Sequence, residues 1–228
     1  MRNEIPKEEK LAQALKPKTK LVEGVEERLK GHDKLGINIG CLEGHFLQAL
    51  VSQQSVEKVV EIGTQYGCST AYIAESLGGL GEIYAFEKNE DCLEQARATF
   101  ASDAFKMTGC KIELISGDAR EGLQSIEQRG PFDLVFIDAN KNAYLDYYLW
   151  AKEFLRPGGY LVIDNVFLFG TVFEETKPEK IPNKMWVGMK SLLQTVFSDS
   201  SMTASLVPTQ EGLLFAVKNV PDNGREDV

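Results

Sequence analysis

Between residues 57 and 164 the chain repeatedly changes its hydrophobic period, from short apolar runs to amphipathic stretches and back. The apolar runs are EKVVEIG (57–63), GEIYAFE (81–87), CKIELIS (110–116), FDLVFID (132–138) and GGYLVID (158–164). Between them STAYIAESL (69–77), NEDCLEQARATFASD (89–103), AREGLQSIEQR (119–129) and NAYLDYYLWAKEFL (142–155) carry apolar residues at helical spacing, with Asn89 placed as a cap. Strands alternating with helices make βαβ units, which means a parallel sheet with helices on both faces. Near the C-terminus MTASLVPTQEGLLFAVKN reads as a hairpin that adds one antiparallel strand. The expected fold is α/β, a doubly wound and mostly parallel sheet of about seven strands.

Upstream, CLEGHFLQALVSQQ (41–54) reads as an amphipathic helix, and residues 1–35 as a polar helical segment with Lys and Glu at helical spacing. That segment is open to three readings: a solvated arm, a packing element or a dimer element. One domain over 1–228 is expected, with a helical arm (1–35) and a core (36–220); EETKPEKIPNK (174–184) reads as an exposed loop.

Charge and residue usage narrow the function. Lys and Arg number 25 against 34 Asp and Glu, a net charge of −9, which disfavours gripping a polyanion. No apolar run reaches membrane-spanning length, and MRNEIPKEEKLAQALKPKTK lacks the apolar stretch of a secretory signal. Cys41, Cys68, Cys92 and Cys110 form no CxxC pair, and no His stands at zinc spacing from them, so reduced thiols in the cytoplasm are expected. His32 and His45 are the only histidines and no GxSxG is present, which disfavours a Ser-His-Asp hydrolase.

In open α/β sheets ligands bind beyond the carboxyl ends of the strands. Gly63, Glu87, Asp118, Asp138 and Asp164 all fall there. In VVEIGTQYGCST, Glu61 ends a strand and Gly63 and Gly67 bracket three residues, a departure from the GxGxxG of nicotinamide dehydrogenases. A tight turn with no ligand would look the same. Glu87, ~20 residues on, is placed to accept ribose hydroxyls or is a surface carboxylate. Asp118 suits an adenine amino group or a helix cap, and one role does not exclude the other. Asp138 and the pair Asp164-Asn165 offer only oxygen ligands, which favour Mg²⁺ or Ca²⁺; the plainer reading is helix caps or pairing with Lys141.

EIGTQYGCST, YAFEKNED, GDARE, GPFDLVFIDANKNAYLDYY and LRPGGYLVIDNVFLFGTV together resemble the class I S-adenosylmethionine-dependent O-methyltransferases. Within that class they are most similar to the cation-dependent caffeoyl-CoA and catechol O-methyltransferases and their bacterial relatives, over residues 35–218. The resemblance implies a Rossmann-like fold. It implies that Glu61, Gly63, Thr64, Gly67 and Ser69 hold the methionine part of the cofactor, that Glu87 takes the ribose and that Asp118 and Ala119 border the adenine. Ile39, in GINIG (36–40), would close over the cofactor, and Asp138 would touch it. Asp138, Asp164 and Asn165 would bind a divalent cation, Mg²⁺ first, with Ca²⁺ or Mn²⁺ as alternatives. Lys141, with Asp138, would carry catalysis at a hydroxyl of an aromatic small molecule, in a homodimer without a membrane. The runner-up is methylation of a hydroxylated uridine in tRNA, using Lys177, Lys180, Lys184 and Lys190. A nicotinamide-dependent oxidoreductase and a non-catalytic cofactor-binding protein are the alternatives from other classes.

The chain departs from the family in three places. Asn140 replaces an Asp before Lys141, VFLFG lacks the tryptophan that often follows Asp-Asn, and FSDSSMTAS lacks the late Asp-x-Arg segment. These departures bear on the substrate side, where loops vary most.

Overall fold

The computed structural model describes residues 6–32, 38–79 and 81–221. Strands β1 (Lys58–Ile62), β2 (Glu82–Glu87), β3 (Lys111–Ser116), β4 (Phe132–Ile137), β5 (Leu155–Ile163), β6 (Met202–Val207) and β7 (Leu213–Lys218) form one sheet in the order β3-β2-β1-β4-β5-β7-β6. Strands β1 to β5 run parallel, and β7 is antiparallel to both β5 and β6. This is the expected sheet.

The helices are α1 (Lys7–Leu15), α2 (Lys20–Arg28), α3 (Cys41–Val51), α4 (Cys68–Leu77), α5 (Glu90–Phe100), α6 (Asp103–Lys106), α7 (Ala119–Gly122), α8 (Tyr144–Phe154) and α9 (Asn183–Ser198). Side chains alternate across the strands and build two cores. Val60, Ile62, Val135, Ile137 and Ile163 pack with Tyr144 and Tyr148 of α8 and Met189 and Leu192 of α9. Val59, Leu134, Phe136 and Val162 pack with Leu47 of α3, Tyr72 and Ile73 of α4 and Val22 of α2. With both faces covered, β4 is apolar at nearly every position, as a central parallel strand requires. Each buried Val, Leu, Ile or Phe side chain contributes ~1.5–3 kcal/mol.

Two local features, the 119–129 segment and α9, differ from the sequence expectation, and α2 chooses among readings left open. Of the readings open for the N-terminal segment, α2 takes the packing one: Leu21, Val22 and Val25 are buried. Glu9 of α1 accepts the backbone N–H groups of Cys41 (2.6 Å) and Leu42 (2.9 Å), supplying the cap that Gly40 lacks at α3. Residues 119–129 are α-helical only over α7; Leu123–Arg129 tightens to a 3-10 helix. Helix α9 has no counterpart among the expected elements, although Met189, Leu192 and Val196 repeat at helical spacing and are its buried face. The cap at Asn89 is present, accepting the Cys92 N–H at 3.0 Å. Among the described residues no helix is long and apolar enough to cross a membrane.

The amino end of the sheet is tied by Asp133. Its Oδ2 accepts the N–H groups of Glu57 (2.9 Å) and Lys58 (2.7 Å), and its Oδ1 accepts Arg156 Nε. Arg156 Nη2 reaches the Ser55 carbonyl at 3.0 Å. Replacing Asp133 by Ala would strand two N–H groups and a guanidinium at the start of β1, a loss of about 2–4 kcal/mol of unfolding free energy by urea titration. Because this end lies opposite the strand ends described next, ligand binding by the folded variant is expected to stay within about twofold of wild type.

Candidate active site

Pairing places Ile62 beside Ile137, and Ile137 beside Ile163. The next residues, Gly63, Asp138 and Asp164, therefore leave the sheet level with one another. The Asp138 N–H bonds the Ile62 carbonyl at 3.0 Å, and the Asp164 N–H bonds the Ile137 carbonyl at 2.9 Å. Strand order reverses at β1, which lies between β2 and β4, and doubly wound sheets open their ligand crevice at such a point. Glycine is required at position 63. Its φ is +97°, and a Cβ there would stand 2.1 Å from the Asp138 carbonyl oxygen.

Glu61 is fully buried and faces α4. Ser69 Oγ donates to its Oε1 and Thr70 Oγ1 to its Oε2, each at 2.5 Å, and Thr64 Oγ1 lies 2.6 Å from Thr70 Oγ1. Burial pushes the Glu61 carboxyl up, the Ser69, Thr70 and Thr64 hydroxyls oppose this, and the Asp138 charge reinforces it. Glu61 is not on the cavity wall described below, whereas Ser69, which it orients, is. Gly67 also lies off that wall; with φ +93° it starts α4 against the Phe100 ring, 2.6 Å from where a Cβ would be.

Glu87 Oε2 accepts the Gln65 N–H at 2.9 Å, and Oε1 accepts those of Lys88 (2.9 Å) and Asn89 (2.8 Å). These bonds fix the carboxylate against the glycine turn and leave capacity for a further donor. Asp118 turns elsewhere. It caps α7 through the Arg120 N–H (3.0 Å) and takes Arg120 Nε (3.1 Å) and Nη2 (2.7 Å). The Arg120 side chain holds its carboxyl down at about 2, against a weaker effect of burial. Of the two residues expected at the adenine, Ala119 is on the cavity wall and Asp118 is not.

At the other end, Lys141 Nζ donates to Asn165 Oδ1 at 2.8 Å and lies 5.6 Å from the Tyr144 ring centroid. Asn165, at φ 59°, donates its N–H to Asp164 Oδ1 at 2.6 Å. Asp164 is only 4% exposed. Burial pushes its carboxyl well above the usual carboxylate range, the Asp138 and Glu43 charges push the same way, and the Asn165 N–H and Lys141 oppose them. Among the described residues no three His, Cys, Asp or Glu side chains gather as metal ligands. The set present is two carboxylates and an amide oxygen, a donor chemistry that fits a hard divalent cation. Buried carboxylates that repel one another are relieved by a positive charge between them.

One cavity of ≈ 1130 Å³ joins these parts. Its wall holds Ile39, Gly63, Thr64, Ser69, Glu87, Ala119, Asp138, Lys141 and Asn165 of the expected residues; Asp164 is set behind it. It also holds Asn38, Gln65, Cys68, Phe86, Tyr147 and Phe169, which sequence reasoning did not single out. Asn38, Gln65, Cys68 and Phe169 do fall inside the GINIG, glycine-turn and VFLFG stretches. Phe86 and Tyr147 come from the interior of a strand and a helix, and only packing shows that they reach the cavity.

A sequence profile of the O-methyltransferase family matches residues 14–219. The chain belongs to that family. A catechol O-methyltransferase of Niastella koreensis is 33% identical over 148 residues, 63% of this chain and 64% of that protein. A catechol O-methyltransferase of Mycobacterium tuberculosis is 33% identical over 140 residues, covering 61% of this chain and 62% of that one. The chain thus matches under two thirds of the length of these two relatives. The crystal structure of the O-methyltransferase from Bacillus cereus in complex with SAH superposes with a TM-score of 0.81 at 27% identity, over 92% of this chain and 96% of that one. The O-methyltransferase match spans the Gly63–Gly67 turn and leaves no support for the nicotinamide alternative.

The buried Glu61 makes a pH prediction. A carboxyl whose folded-state affinity for its proton is raised loses stability as pH climbs above the unfolded value of about 4.3, because the unfolded chain gives up that proton first. Glu61→Gln does not titrate, so its melting temperature is expected to gain on wild type steadily from pH 4.5 upward in paired thermal melts. A constant difference across that range would show that Glu61 is ionised in both states.

Proposed function

We propose that this O-methyltransferase transfers a methyl group from S-adenosylmethionine to a hydroxyl of a catechol-like aromatic acceptor, assisted by a divalent cation, Mg²⁺ first. The observation that carries this reading is one cavity of ≈ 1130 Å³ whose wall takes Glu87 and Ala119 from the β2–β3 side of the sheet and Asp138, Lys141 and Asn165 from the β4–β5 side. It exceeds the ~300–1,000 Å³ usual for one small ligand and has room for a nucleoside beside an acceptor. SAH, held by the Bacillus cereus relative, is what S-adenosylmethionine becomes on giving up its methyl. Two relatives named for catechol support the acceptor class.

S-adenosylmethionine supplies a methyl on a positively charged sulfur, which keeps the bonding electron pair when oxygen attacks the carbon. In this reading Glu87 takes the ribose hydroxyls, Ala119 and Tyr147 border the adenine, and Ile39, Gly63, Thr64 and Ser69 surround the methionine portion. Glu61 and Gly67 act from behind, by holding Ser69 and the start of α4. A phenol has a pKa of about 10 and is a weak nucleophile at neutral pH. A cation held by Asp138, Asp164 and Asn165 would stabilise the phenolate and align two neighbouring hydroxyls. Lys141, anchored at the Asn165 amide oxygen, is in place to take the hydroxyl proton, in its neutral amine form, as the new C–O bond forms. Phe169, 70% exposed on the cavity wall, offers a ring face to the acceptor.

The tRNA reading has less support. Lys177 is bonded to the Pro178 (2.8 Å) and Ile181 (3.0 Å) carbonyls, and Lys190 to the Glu174 carbonyl while lying 4.1 Å from the Trp186 ring centroid. Two of the four lysines that would grip a phosphate backbone are thus committed. A homodimer and a cytoplasmic setting complete the reading. Exposed Leu11 and Leu15 on α1 favour a contact with a second copy, and four free cysteines favour a reducing compartment.

Methyl transfer to catechol should require Mg²⁺, stop in EDTA and return on adding Mg²⁺; full turnover in EDTA would sink the cation. Lys141→Ala is expected to lower kcat by ~10²–10⁴-fold with S-adenosylmethionine binding unchanged. Phe169→Ala should raise KM for aromatic acceptors by about three- to tenfold and leave the cofactor Kd alone. Failure of wild type to bind S-adenosylmethionine by calorimetry would remove the whole reading.

A further inference from the structure

Helix α8 buries three tyrosines on one face, Tyr144, Tyr147 and Tyr148. A buried tyrosine packs its ring as phenylalanine does, but its hydroxyl also needs a partner. Tyr148 Oη donates to Asp199 Oδ2 at 2.7 Å. Tyr147 stands on the cavity wall. Tyr144 is only 1% exposed and does not reach that wall, and its Oη has no hydrogen-bond partner among the described residues. In a core of Ile62, Val135, Ile137 and Ile163 a phenylalanine would fill the same place and leave no donor unmet. Packing therefore accounts for the ring of Tyr144 and not for its hydroxyl.

The path of the chain puts that hydroxyl behind the acid-lined end of the cavity. Lys141–Ala143 turns as a 3-10 helix straight into α8, and Lys141 Nζ stands 5.6 Å from the Tyr144 ring centroid. The ring shares its core with Ile137 and Ile163, the paired residues that immediately precede Asp138 and Asp164. Burial pushes the hydroxyl well above the usual tyrosine range, the Asp138 and Asp164 charges push the same way, and the Ala139 N–H opposes them. The phenol keeps its proton, and the groups that bear on it are the two acids and the backbone just after Asp138. Of those acids Asp138 is on the cavity wall and Asp164 is set behind it, so a donor can reach the pair from the core side while the wall side faces a ligand. Hydrogen bonds from such a donor orient ligating carboxylates and favour their charged form.

We propose that Tyr144 is a positioning residue of the acid-lined end: its Oη donates from the core to one carboxylate of the Asp138 and Asp164 pair and sets that pair to hold a divalent cation. This rests on the cation reading of that end. The bond forms as the carboxylates turn to the cation. Tyr144 itself, being off the wall, touches neither cofactor nor acceptor.

The test uses the full chain with S-adenosylhomocysteine present and counts bound Mn²⁺ by electron paramagnetic resonance, with no turnover. Tyr144→Phe keeps the ring that Lys141 approaches and removes the hydroxyl alone. It should raise the Mn²⁺ Kd by about tenfold or more. Its affinity for S-adenosylhomocysteine should stay within about twofold of wild type. Without Mn²⁺ it should melt no lower than wild type, because an unmet buried donor is gone. Tyr148→Phe is the contrast: it breaks the bond to Asp199, so it should melt lower while its Mn²⁺ Kd stays within about twofold of wild type. An unchanged Mn²⁺ Kd in Tyr144→Phe would overturn the proposal. Equal weakening by the two variants, or a lower melting temperature of Tyr144→Phe without Mn²⁺, would make the hydroxyl a structural group and overturn it as well. If wild type binds S-adenosylhomocysteine but no Mn²⁺, the cation reading falls and this proposal with it.

Discussion

The absence of a side chain at Gly63 lets the ends of β1 and β4 meet. A Cβ there would lie 2.1 Å from the Asp138 carbonyl oxygen, inside any tolerable contact, and the left-handed φ of +97° excludes most other residues as well. Because the two strands close on each other at this point, the chain after β1 turns at once into the Thr64–Gly67 loop. Its Gln65 N–H fastens to Glu87 and its Thr64 N–H to the Phe86 carbonyl. Asp138 emerges level with that turn and with Asp164. The cavity is a consequence of this contact: one wall is the turn, the other the two acid-bearing strand ends.

Backbone strain collects around the same cavity. Among the described residues the non-glycine positions with left-handed φ are Gln65, Asn165, Leu168 and Phe169. Gln65, Asn165 and Phe169 line the cavity, and Leu168 is buried in the same loop as the last two. Each such residue costs about 1 kcal/mol or more and persists where its surroundings over-determine it. For Asn165 and its neighbours the restraint comes from the terminal hairpin: the Val166 N–H bonds the Gly212 carbonyl (3.0 Å) and the Phe167 N–H the Glu211 carbonyl (2.9 Å). Gly212 approaches the Phe167 ring so closely that a Cβ would be 2.3 Å from it. The hairpin therefore does more than extend the sheet. It holds the loop that carries the amide oxygen and the exposed phenylalanine.

The layers of the fold were legible because each depends on a short-range pattern. Apolar runs such as Leu134–Ile137 can only be central strands, and an acid following one must sit at a strand end. What the pattern cannot give is which way an end residue points and what meets it. Glu61 and Glu87 read alike in sequence, yet one faces the hydroxyls of Ser69 and Thr70 and the other faces the cavity. Asp118 has its own partner two residues on, and Arg120 draws it off the wall. Asn38 falls inside GINIG beside Ile39, yet its buried amide Nδ2 without a partner is a property that exists only once the surrounding packing is known. Helix α9 was legible in principle from Met189, Leu192 and Val196, but the preceding Lys- and Pro-rich loop masks the change of period.

The bond from Lys141 to Asn165 bears on how the acid-lined end is organised. Asp164 is buried and is pushed toward its neutral form by burial and by Asp138 and Glu43, while the Asn165 N–H and the Lys141 charge oppose this. The lysine does not reach that carboxylate; it stops at the neighbouring amide oxygen. A divalent cation among Asp138, Asp164 and Asn165 would compete with the ammonium for that same oxygen, since two positive charges cannot share it at short range without strong repulsion. In the proposed reading, a cation held there would take the oxygen that now holds Lys141 and leave the lysine free of Asn165. That would give a physical reason for a lysine to stand beside such a site: its tether would be one of the oxygens a cation needs.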